Sequence, residues 1–334
     1  MRIIVLAVGL LSLLLDSCED VDNRWDDEII IPEFNYPQTV EFEENLSSYE
    51  IYQGVMAELV PSTDFHLLEL GSTLFTDYAF KQRLIKIPSG TQIQDLNDDA
   101  LSFPDGTILV KTFYYLNDER DANQGKRIIE SRLLIKENDS WNVATYIWND
   151  AHTDARLELD GYDTQVSWLD SNGNNLSTSY HIPSKNECGT CHQTKSKLTP
   201  IGPTLRNLNR EVNRNGETLN QIAHLQSVGL IDDRIELTGI PQMIDYKNHD
   251  LALSVRGRAY LDMNCAHCHN PDGWNMANKR PFDFRMETAL DHSGILGKEE
   301  KIARNLVNGR MPLVGTTMID KEGVQLIVDY LNSL

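Results

Sequence analysis

Short runs rich in β-branched and aromatic residues dominate positions 46–183. Examples are GTILVKTFYY at 106–115, RIIESRLLI at 127–135 and WNVATYIW at 141–148. Turn-forming clusters separate such runs: Pro104-Asp105-Gly106, Glu137-Asn138-Asp139 and Ser171-Asn172-Gly173-Asn174-Asn175. β-Branched and ring side chains fit a pleated, half-buried surface, and Gly, Asn and Asp tolerate the backbone angles of tight turns. The spacing predicts an antiparallel sandwich or barrel-like domain long enough to hold its own core. Trp141, Trp148 and Trp168 fall within it; they either line a ligand surface or, as strand aromatics more often do, fill the core.

After Pro183 few β runs remain. Positions 251–263 read as a helix, and at 323–331 apolar residues recur at helical spacing. The expected architecture is therefore multidomain, a β-rich leading domain followed by a mainly α part. At the other end, Arg2 precedes an apolar run too short to span a bilayer comfortably, and Leu15-Asp16-Ser17-Cys18 closes it. This stretch resembles the lipobox of bacterial lipoproteins, with Asp16 departing from the small neutral residue usual there. A lipoprotein signal peptide at 1–17 and lipidation of Cys18 are expected, against the alternatives of an ordinary secretory signal or an uncleaved anchor. The acidic, Pro-containing stretch 18–45 reads as a tether.

The chemistry lies in two five-residue strings, Cys188-Gly189-Thr190-Cys191-His192 and Cys265-Ala266-His267-Cys268-His269. Each is a C-x-x-C-H, the attachment sequence of c-type haem. Two intervening residues let both sulfurs reach neighbouring edges of one macrocycle as thioethers, and the next His lies against its face. The pattern predicts two covalent haems c, held by Cys188 and Cys191 and by Cys265 and Cys268, with His192 and His269 as axial ligands. A Cys₄ zinc site or disulfide-forming pairs are the alternatives; neither gives the two histidines a role. Cys18 is the fifth and last cysteine. Haem c is attached outside the bacterial inner membrane, so the export signal and the strings agree on a cell-envelope, periplasmic location with a lipid anchor.

Sixth ligands are sought in loops. Met311, in Asn308-Gly309-Arg310-Met311-Pro312, precedes the last helix and is the candidate for the second iron, with Met318 and Met276 as rivals. Met243 is the candidate for the first, ahead of His224 and His249. Pro281, and Gly202-Pro203 for the first string, resemble the element of class I cytochromes c whose backbone carbonyl binds the axial imidazole, which implies such a carbonyl here. No helix pattern precedes Cys188, which suggests that the first haem packs against the β domain.

The second half, 251–334, resembles class I cytochrome c, in which a Gly and an aromatic let two helices cross closely. Gly257 and Tyr330 fit those roles. The string spacing then implies tandem cytochrome c-like units at 184–250 and 251–334. Positions 46–334 resemble bacterial dihaem cytochromes with a β-rich leading domain, through LFTDYAFK at 74–81, FPDGT at 103–107, both strings, and 198–208 and 256–270. Two covalent haems with His/Met ligation point to electron transfer from a periplasmic dehydrogenase; the resemblance adds the architecture and a quinoprotein sugar dehydrogenase as a suggested redox partner. A dihaem peroxidase-type enzyme with one open iron is the alternative, and a glycan-binding surface module a third. The formal charge of −20 argues against nucleic-acid binding.

Overall fold

A six-stranded antiparallel sheet organises the chain, each strand pairing with the next in sequence: β1 (His66–Leu67), β2 (Phe80–Lys86), β3 (Ile108–Leu116), β4 (Lys126–Glu137), β5 (Ser140–Trp148) and β6 (Ala155–Glu158). The computed structural model describes residues 39–96, 101–195, 197–273 and 282–334, all within the compact unit Glu33–Leu334. The leader, Cys18 and most of the tether lie outside the described residues. Asn138 and Asp139 connect β4 to β5 with φ of 50° and 56°. Positive φ at both central residues matches the twist of the strands they join.

Alternation along the strands sends successive side chains to opposite faces. Leu84, Val110, Leu133, Ala144 and Tyr146 face one core, shared with Leu46, Ile51 and Phe65 of the leading segment. Ile85, Leu109, Leu134 and Val143 face the other, shared with Cys188, Leu198, Leu205, Leu208, Ile222 and Leu225. The first string is thus built onto the sheet. A hairpin of β7 (Tyr162–Leu169) and β8 (Asn175–Ile182) closes a third cluster around Phe113, Tyr115 and Ile129. Trp141, Trp148 and Trp168 are all buried, so the core reading of these rings holds. Each such side chain contributes roughly 1.5–3 kcal/mol by leaving water.

The expected mainly α second half is corrected. From 184 to 252 there are three short helices, α1 (Lys185–His192), α2 (Leu205–Leu208) and α3 (Gln221–Ser227), with hairpins of Gln193–Thr194 with Lys197–Leu198 and of Glu211–Arg214 with Glu217–Asn220. Beyond them stand α4 (Leu253–Asn264), α5 (Glu299–Val307) and α6 (Lys321–Asn332). The molecule is β-rich and does not consist of a sandwich followed by tandem mainly α cytochrome c-like domains. A scarcity of β runs was not evidence of helix. Positions 228–252 carry Gly229, Asp232, Asp233, Gly239, Pro241, Asn248 and Asp250, which favour turns over any 3.6-residue period.

Candidate functional site

The first string occupies a capped helix end. Ser184 Oγ accepts from the Glu187 N–H at 3.2 Å and Glu187 Oε2 accepts from the Ser184 N–H at 2.9 Å, a reciprocal capping box that starts α1. His181 reinforces it, facing Asp163 at 2.7 Å and Glu187 at 3.0 Å. Burial disfavours its charged form, but the bond to Asp163 and the charge of Glu187 outweigh that and raise its pKa. α1 ends at His192, and the hairpin that follows returns the Thr199 carbonyl to 3.0 Å from His192 Nδ1. A carbonyl only accepts, so Nδ1 carries the proton and Nε2 keeps its lone pair for a metal. The carbonyl expected from Gly202-Pro203 is therefore replaced by one closer in sequence. The Gly202 carbonyl instead accepts from Asn207 Nδ2 at 2.9 Å.

Beside Cys188, Cys191 and His192 opens a cleft of about 1110 Å³, counting space open to solvent. Leu68, Leu70, Leu109 and Leu134 give it an apolar wall. Across the same wall runs a row of cations: Arg83 is paired in register with Lys111, and Lys111 with Arg132. Like charges directly opposite each other on adjacent strands repel. Among the described residues, Arg132 is the member with a carboxylate partner, the buried Glu130 at 2.5 Å, which also accepts from Tyr180 Oη at 2.7 Å. Lys111 and Arg132 both lie over the Phe113 ring, 4.7 and 4.6 Å from its centre. Burial lowers the pKa of Lys111 well below its usual value and brings that of Arg83 down to about 10. Arg83, Lys111 and Arg132 outnumber the nearby carboxylates, Glu130 and the cleft-lining Glu187, and an apolar cleft with that balance suits a flat apolar ligand bearing negative charge. A haem with its two propionates fits that description.

The second string follows α4 directly. Its own backbone turns on bonds from the Cys268 and His269 N–H groups to the Cys265 carbonyl, at 3.1 and 2.9 Å. α4 crosses α6 closely, and a methyl placed at Gly257 would stand 2.5 Å from Tyr330 Cγ. Gly323 makes the reciprocal contact with the Tyr260 ring. His269 lies against Phe282 and Phe284, ring centres 5.9 and 5.2 Å away, and its buried Nδ1 has no partner among the described residues. Pro281 and Met276 lie outside those residues. Met311 is half-buried on the same core as Cys265, whereas Met318 packs on the cluster around Phe113. Burial pushes the His192 and His269 imidazoles down to about 4 and the Cys188 and Cys265 thiols up to about 11 and about 12. A neutral buried imidazole beside two cysteines suits an iron ligand, so these residues also fit a haem.

The two strings touch. Ligand atoms of Cys191, His267 and Cys268 lie within 4.8 Å of one another, and the Cys268 thiol donates to the Thr190 carbonyl at 3.7 Å. The Lys195 N–H bonds the Asp272 carbonyl at 3.0 Å, tying the chain beyond each string to the other. Cys188 and Cys265 stay out of the cluster, so a four-cysteine zinc site is not assembled among the described residues, and no disulfide joins the four cysteines there.

Met243 lies elsewhere: half-buried, with its Cβ 3.3 Å from a methyl position on Gly71 and its N–H on the Arg206 carbonyl at 2.8 Å. Neither it nor His224 and His249 is among the cleft residues, while Glu187, Asn264, His267 and Pro312 are. Sequence reading missed the cation row and Glu187. Both left a signal, in the S-x-x-E of Ser184-Lys185-Asn186-Glu187 and in basic residues breaking otherwise apolar strand faces. Comparison of the chain with protein-family models, with curated proteins and with solved structures gave no match in any of the three.

Proposed function

We propose that the chain is a dihaem c-type cytochrome that carries electrons in the bacterial cell envelope. The haem bound at each string supplies one-electron redox chemistry. The observation that carries the reading is the cleft at Cys188, Cys191 and His192, with its apolar wall and its row of Arg83, Lys111 and Arg132. His192, fixed through Thr199, would hold the iron through Nε2, and Arg83, Lys111 and Arg132 would balance the group's carboxylates. Cys265, Cys268 and His269 hold the second group, with Met311 on the same core as its sixth ligand. A thioether ligand raises the potential relative to a second histidine, which suits an acceptor of electrons from a periplasmic dehydrogenase. Cys18 lipidation would keep the protein on a membrane while the body meets its partner.

A second reading is favoured by one feature. No methionine among the described residues lines the first cleft, and polar Glu187, Asn264 and His267 do. A dihaem peroxidase-type enzyme, with the first iron open on its far side, would use such a site. Reduced-minus-oxidised spectra with carbon monoxide addition separate the two. Two low-spin irons that ignore carbon monoxide support the carrier; binding at one iron together with peroxide turnover supports the enzyme, and absence of any haem spectrum contradicts both.

A further inference from the structure

We infer that Cys191 and Cys268 form the contact through which the two prosthetic groups exchange electrons, so that the chain works as a coupled two-electron relay. This rests on the reading that both strings carry covalent haem. Each of these cysteines is the second thiol of its string, so each would become a thioether sulfur at the rim of its own macrocycle. Their sulfurs lie within 4.8 Å of one another, with His267 in the same cluster. The contact is built rather than incidental. The Cys268 thiol reaches the Thr190 carbonyl at 3.7 Å, and the Lys195 N–H bonds the Asp272 carbonyl at 3.0 Å. Asn264, the last residue of α4, accepts from the Phe75 N–H at 2.8 Å. It lines the first cleft together with His267 and with Pro312 and Val314, which follow Met311. Elements that hold the second group therefore wall the cleft of the first.

With a haem held at each string, a donor's first electron would pass from the nearer iron to the farther one, with no bond formed or broken, and the nearer iron would then take the second electron. The pair would so empty a two-electron donor in a single encounter, whereas separated haems would need two independent encounters.

The test is the circular dichroism of the purified, fully reduced holoprotein in the Soret region, after its haem content has been measured by pyridine haemochrome. Two haems per chain with a bisignate couplet is the expected result, since only closely placed chromophores couple in this way. The double variant Cys265→Ala/Cys268→Ala should keep one haem and lose the couplet; if it fails to fold, the wild-type spectrum decides alone. Two haems per chain with a Soret signal free of any couplet would overturn the relay and leave the cytochrome reading standing. Fewer than two haems per chain would overturn the cytochrome reading itself.

Discussion

Asp77 clamps Thr317. Its carboxylate accepts from the Thr317 N–H at 2.9 Å and hydroxyl at 2.8 Å, and from the Met318 N–H at 2.9 Å. Asp77 is buried and left-handed, with φ of 49°, and its own carbonyl accepts from Tyr115 Oη at 2.7 Å. The β sheet thereby holds the loop that begins at Met311 and whose residues Pro312, Val314, Gly315 and Thr316 wall the cleft. Packing of the sheet and placement of a candidate iron ligand are one structural problem here.

Asp77→Asn replaces one acceptor oxygen with a donor facing N–H groups. A buried, unsatisfied polar group costs about 1–3 kcal/mol. Urea denaturation should show a loss of that order, with the midpoint shifted and the slope retained. A variant as stable as the parent would show that the clamp contributes nothing.

Gly257→Ala places a methyl against the Tyr330 ring where α4 crosses α6. Overpacking of this kind costs typically about 1–3 kcal/mol. Thermal unfolding should show the loss, and Gly257→Ala combined with Tyr330→Leu should recover part of it. Equal stability of Gly257→Ala and wild type would contradict the close crossing.

Lys111→Met separates two roles of the cation row. In the haem-free chain the substitution relieves repulsion from Arg83 and Arg132, a gain of roughly 0.2–1 kcal/mol by the cross-strand scale. In the loaded protein it removes a positive charge that favours the reduced iron, so the midpoint potential of one haem should fall. A potential that stays put would move the acidic edge of the ligand away from this row.

Much of this was legible in the sequence, unevenly. Strands at 108–116, 126–137 and 140–148 announced themselves by β-branched and aromatic runs, and the Asn138-Asp139 turn by its residues. The Gly257–Tyr330 contact was legible through the resemblance to class I cytochrome c, in which a Gly and an aromatic meet where two helices cross. The second half departs from the helical expectation because its lack of strand pattern falls in a stretch whose Gly, Pro, Asp and Asn residues favour turns. The cation row was only partly legible, since basic residues break the apolar strand faces but do not say which of them meet. Arg83, Lys111 and Arg132 become neighbours only through strand register, which no single run of sequence carries. Met243 looked like a ligand from its Pro-containing loop, yet that loop docks on Gly71 and Arg206.

Met311→Ala tests the sixth ligand of the second iron. Losing a soft thioether should lower that haem's potential, abolish an Fe–S charge-transfer band near the red edge of the visible spectrum, and let the reduced protein bind carbon monoxide. Both haems should remain covalently attached. An unchanged spectrum would assign the ligand to Met318 or Met276.

The central claim is that both C-x-x-C-H strings carry covalent haem, and intact-protein mass spectrometry with pyridine haemochrome quantitation on chain matured with the bacterial haem-attachment machinery tests it most directly. Two haems per chain, falling to one in Cys188→Ala/Cys191→Ala, is the result this account predicts. A chain that emerges with four free thiols, or with a metal ion bound at Cys191, His267 and Cys268 in place of haem, would contradict it.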